Sequence, residues 1–146
     1  MQKVVAVFSV LLMFCAVRAG AGDAALRIEI TGLAGTEGTV FISVYDNEDA
    51  WLGEDTVITE KIEIASARVE DLVVADIVLP PGQYAVSLFY DANANGKLDS
   101  NFIGIPKEPV ALSNNAKPKF GPPKYKDAVF ALGAEGLTQR IAIESI

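Results

Sequence analysis

The stretch DANANGKLD, residues 91–99, sets Asp91, Asn93 and Asn95 at alternate positions, followed by Gly96 and Asp99. These match positions 1, 3, 5, 6 and 9 of an EF-hand type of calcium loop. In such a loop alternate side chains converge on one point, and glycine permits the sharp turn around it. The donor set is all oxygen: two carboxylates, two amide carbonyls and, at position 7, the backbone carbonyl of Lys97. Hard oxygen donors of this kind suit calcium. Position 12, where an EF-hand supplies a bidentate glutamate, is Phe102. With two formal charges the expected affinity is weak, roughly 10⁻⁴ to 10⁻³ M. Calcium at about ten times its Kd would add about 1.4 kcal/mol to stability. The same residue types also build ion-free turns, because Asp and Asn side chains bond nearby backbone N–H groups and glycine accepts positive φ. Spacing alone leaves both readings open.

Little else in the chain carries chemistry. The first residues, from Lys3 through the apolar run Val4–Val17 to the small-residue sites at Ala19 and Ala21, read as a cleaved signal peptide over residues 1–21. The apolar run is too short to span a bilayer core of about 30 Å, so no permanent membrane anchor is expected. The address implied is export, to the periplasm or outside the cell. The remaining residues, 22–146, are long enough for a single domain. They contain no His, Cys or Met, and carry 10 basic against 19 acidic residues, a net charge of −9. Without His and Cys, the usual general base, the thiolate nucleophile and the commonest zinc ligands are all missing. The acidic balance argues against nucleic acid as a partner. What remains for an enzyme is a carboxylate pair acting on a glycosidic bond, with Asp99 and Glu108 the nearest candidates.

The elements that must position these residues are strands. Leu26, Ile28 and Ile30 alternate with Arg27 and Glu29; Val40, Ile42 and Val44 alternate with Phe41 and Ser43; the same period runs through KIEI, VVADIVL, YAVSLFY and RIAIE. Alternation with β-branched residues describes half-buried antiparallel strands. Seven are expected, near residues 26–33, 38–45, 57–65, 69–79, 82–90, 127–132 and 137–145. No helical stripe is evident. An all-β, seven-stranded antiparallel sandwich, immunoglobulin-like or transthyretin-like, buries one face of each sheet against the other.

Two connections stand out. The first, DNEDAWLGED over 46–55, surrounds Trp51 with carboxylates. The second runs from Asp91 to Lys126, far longer than an ordinary sandwich turn. It holds five of the seven prolines, and residues 97–126 carry six lysines against Asp99 and Glu108. Such a basic loop on an acidic body either docks on its own carboxylates or presents an anion-binding face. Phe102, Lys117, Lys119, Phe120 and Tyr125 form the candidate binding surface, for a cell-envelope or extracellular partner. If every strand crosses the sandwich once, the 46–55 connection leaves from the opposite end to Asp91. A missing calcium carboxylate would then come from Glu37 or Glu70.

The run PPGQYAVSLFYDANANGKLDSNFIGIPKEP, followed by SNN, FGPP and KDAVF, resembles the bacterial exported family known as domain of unknown function 2141. Gly104, Pro106, Glu108, Ser113, Asn114, Gly121, Pro122, Asp127 and Ala128 fall in the order of that family, whereas Tyr90 stands where a His is sometimes found. The resemblance implies a signal-bearing, secreted or periplasmic β protein without an assigned activity. The readings that follow are a non-catalytic module whose long loop is ordered by calcium, a glycan-active enzyme, or a structural envelope spacer with no ion bound.

Overall fold

The computed structural model describes residues 22–144; the expected signal peptide and its cleavage sites lie outside the described residues. Two β-sheets form. The first has the order β4 (Arg68–Val69), β5 (Leu72–Leu79), β1 (Ala24–Thr31), β9 (Leu137–Ala142). The second has the order β3 (Ile58–Glu63), β2 (Thr39–Tyr45), β6 (Gly82–Asp91), β7 (Val110–Leu112), with β8 (Phe130–Leu132) also on β6.

The sandwich forms because the alternating apolar positions have one another to bury. Leu26, Ile28 and Ile30 of β1, Val73, Ala75, Ile77 and Leu79 of β5, and Ile141 of β9 are buried. They join Val40, Ile42 and Val44 of β2 and Val86 and Leu88 of β6 in one core cluster. Each Val, Leu or Ile among them contributes roughly 1.5–3 kcal/mol by leaving water.

The described residues contain nine strands, not seven, and the difference has local causes. Glu70 adopts a left-handed conformation, φ 55°, and the turn there splits the expected 69–79 strand into β4 and β5. The long connection is not a bare loop: β7 lies within it and pairs with β6 from Ser87↔Leu112 to Phe89↔Val110. Pairing is antiparallel apart from β1 with β9, which run parallel from Leu26↔Leu137 to Thr31↔Ala142. Two single-turn helices, α1 (Ile64–Ala67) and α2 (Tyr125–Ala128), interrupt the strands. Among the described residues no helix is long and apolar enough to cross a membrane.

The register of β2 on β6 positions the two unusual connections. Thr39 pairs with Asp91 and Tyr45 with Ala85, so the 46–55 connection and the Asp91 loop leave points six residues apart along β6, about 20 Å at the rise of a strand. The strand-parity reading therefore holds at the loop's start.

A candidate cation loop closed by a buried glutamate

β6 ends on Asp91, whose carboxylate is 1% exposed although its neighbours 92–98 are all exposed. Its two oxygens accept hydrogen bonds from the N–H groups of Asn95 (3.3 Å) and Gly96 (2.8 Å). The chain thereby curls around the carboxylate. The curl needs left-handed backbone at Ala94 (φ 58°) and Gly96 (φ 75°). A Cβ on Gly96 would meet nothing within 4 Å, so glycine serves there by conformation alone. Asn93 and Asn95 each hold a small turn, their Oδ1 atoms accepting from Asn95 N–H (3.2 Å) and Lys97 N–H (2.9 Å). Their amide nitrogens both donate to one oxygen of Asp99, Oδ2, at 2.6 and 2.7 Å. Side chains 93 and 95 thus meet Asp99 through nitrogen, while the oxygens of Asp91, Asn93 and Asn95 hold backbone N–H groups in the manner of Asx turns.

The structure adds a residue that the calcium reading of the sequence did not use. Glu108 is 6% exposed; its Oε2 accepts from the Asp99 N–H at 3.1 Å, and its Oε1 is buried with no hydrogen-bond partner. An unpartnered buried carboxylate oxygen is costly, and in native folds it asks for an explanation. Glu108 reaches the loop because residues 99–107 fold back on themselves. Lys107 N–H donates to Asp99 O (2.7 Å), Ser100 bridges to Pro106, and Asn101 N–H donates to Ile105 O (2.8 Å). The sequence did carry a signal, a glutamate between Lys107 and Pro109 in the family-like stretch, but only this narrow hairpin converts nine residues of separation into contact. Glu37 lies at the same edge, where its carbonyl accepts from the Tyr90 hydroxyl (2.9 Å). A glycan-cleaving pair would have to present Glu108 to solvent, and it is buried. Among the described residues no three His, Cys, Asp or Glu side chains group closely enough to hold a metal by themselves, so a cation here depends on the asparagines and on backbone carbonyls.

The remaining candidate residues divide between two places. Phe102 is 99% exposed at the tip of the 99–107 hairpin. Lys117, Lys119 and Phe120 line a different feature, a cavity of about 280 Å³ shared with Lys124 and Lys126. Tyr125 is not part of that lining. Its ring meets Trp51 edge-on at 5.8 Å, Trp51 meets Tyr45 in the same way at 5.2 Å, and the Trp51 indole N–H donates to Pro123 O at 2.9 Å. Burial first, then the carboxylates of Asp46 and Glu48, raises the Tyr125 phenol above its ordinary value. Among the described residues, the only loop lysine in an ion pair is Lys117, with Glu144 at 2.9 Å.

A family model described as "Uncharacterized protein conserved in bacteria (DUF2141)" matches residues 28–140. No curated protein and no solved structure matches the chain significantly.

Proposed function

Since the chain belongs to the DUF2141 family of uncharacterised bacterial proteins, we propose from its own residues an exported, non-catalytic β-sandwich module in which calcium orders residues 91–108. The observation that carries this reading is Glu108: a buried carboxylate with one oxygen on the loop backbone and the other unpartnered. Asp91, Asp99 and Glu108 do not group as a ligand set by themselves, so on binding Glu108 moves toward the loop and supplies the charge that position 12, Phe102, lacks. Asp91, Asn93, Asn95 and Asp99 give side-chain oxygens, and Lys97 gives its carbonyl. Rotating an asparagine amide by half a turn exchanges its nitrogen and oxygen at almost the same place. For Asn93 and Asn95, which bond Asp99 through nitrogen, that rotation gives up the turn bonds their Oδ1 atoms accept from Asn95 and Lys97 N–H, a loss that the bound ion offsets. Asp91 keeps lone pairs free beside its two N–H bonds, because an ionised carboxylate accepts about four.

The test is a thermal melt with calcium, with magnesium and with chelator, on wild type and on Glu108→Gln. Calcium raises the wild-type midpoint and magnesium raises it less, because magnesium dehydrates reluctantly. The glutamine variant keeps the bond to Asp99 N–H but loses a charge, so its calcium response falls while its midpoint in chelator is equal or higher. Absence of calcium uptake by wild type in millimolar titration calorimetry overturns the proposal.

A further inference from the structure

The hairpin of residues 99–107 presents Phe102, Ile103 and Ile105 at 99%, 64% and 54% exposure. Large apolar side chains grouped at that exposure mark an interaction site. The hairpin's two sides are tied by the Ser100–Pro106 bridge and by Asn101 N–H on Ile105 O. The three exposed apolar side chains fall short of the roughly 20–30 residues a side of a stable protein interface, so a lipid surface is the partner that suits the tip. Its backbone also suits an apolar medium. Asn101 N–H bonds Ile105 O, Gly104 N–H bonds Asn101 O (3.0 Å), and the Asn101 side-chain oxygen accepts from both Ile103 and Ile105 N–H (3.0 Å each). Pro106 has no N–H. The N–H groups of Asn101, Ile103, Gly104 and Ile105 are thus satisfied within the segment, which lowers the cost of leaving water, while that of Phe102 is not among them.

Charge identifies the lipid. Lys97 and Lys107 flank the apolar tip, while Asp91, Asp99 and Glu108 lie at its base, so residues 91–108 carry net −1. A divalent ion at the base turns this to +1. Lys107 and Glu108 both bond Asp99, so the ion loop and the stem of the tip are one hydrogen-bonded unit. We propose that the 98–107 tip docks on anionic phospholipid surfaces in a calcium-dependent way, with Phe102 and Ile103 entering the interface and Lys97 and Lys107 meeting the headgroups. This rests on the calcium reading above.

The test is co-sedimentation with phosphatidylcholine vesicles, with and without phosphatidylglycerol, in calcium or chelator. It uses wild type, Asp91→Asn and the double variant Phe102→Ser with Ile103→Ser, each titrated with calcium by calorimetry without vesicles. Wild type pellets with phosphatidylglycerol vesicles in calcium only. The double variant takes up calcium normally but partitions at least about tenfold less, and Asp91→Asn loses both properties. Calcium uptake without vesicle binding overturns the docking proposal and leaves the calcium reading standing; absence of uptake removes both. Equal binding in chelator, or full binding by the double variant, also overturns it. So does a dimer in sedimentation velocity that the double variant dissolves, which would assign the tip to a second copy of the chain.

Discussion

Ser113 is fully buried, and its hydroxyl stands in for a missing piece of sheet. It donates to Ala128 O at 2.6 Å and accepts from Val86 N–H at 2.8 Å. Along that edge of β6, β8 pairs with Gly82–Tyr84 and β7 with Ser87–Phe89, which leaves Val86 to the serine. The next two residues, both left-handed, tie this edge to the other sheet. Asn114 exchanges bonds with Gln139, and Asn115 bonds Arg140 O and Ala142 N–H. The SNN of the family-like stretch is therefore a splice between sheets. Replacing Ser113 with Ala should cost about 1–3 kcal/mol in urea unfolding, because Val86 N–H is left buried and unpaired. The loss should be the same in calcium and in chelator. At this scale the curled loop was legible, since Asp91, Asn93, Asn95 and Asp99 bond one another and the nearby backbone through local spacing. Glu108 was not, because its contact depends on a hairpin that no spacing rule describes.

Among the elements, the long connection shows how a basic segment is held without many ion pairs. β7 carries the chain back along β6, away from Asp91, until Pro123 and Tyr125 meet Trp51. Tyr45, Trp51 and Tyr125 then pin the lysine-bearing stretch onto the 46–55 connection. Trp51→Ala removes two edge-on aromatic contacts and the bond to Pro123 O. Cleavage by a lysine-specific protease at Lys117, Lys119, Lys124 and Lys126 should then accelerate at least about tenfold, since local opening sets access to such sites. An unchanged cleavage rate would mean that the trio does not hold the segment. The sequence marked both connections as unusual, and parity placed their starts correctly along β6. It missed β7, a strand of three residues, because so short a run carries no period to recognise.

Across the whole molecule, Glu29 contributes to the acid edge of stability and three tyrosines to the alkaline edge. Glu29 of β1 bonds Arg140 of β9 at 2.9 Å, and this partner, ahead of Arg27, lowers its carboxyl below the ordinary 4.5. Its contribution is present above that value and lost as pH falls through the lowered one. Tyr45, Tyr84 and Tyr125 are raised above 10.0, chiefly by burial. Their contribution is present below pH 10 and lost as pH rises through the raised values. Arg140→Gln should lower the neutral-pH urea midpoint, and its curve should converge on wild type at acid pH, once Glu29 is protonated in both. Parallel curves down to the acid limit would show that the pair does not set this edge.

By itself the sequence determined a β-sandwich core and the loop that curls around Asp91, because alternation along a strand and the reach of Asp and Asn side chains are properties of neighbouring residues. The parallel β1–β9 pair, the serine splice, the separation of Phe102 from the lysine-lined cavity and the arrival of Glu108 beneath Asp99 were decided by tertiary structure. Each joins residues whose distance along the chain says nothing of their distance in space until strand register and the 99–107 hairpin bring them together.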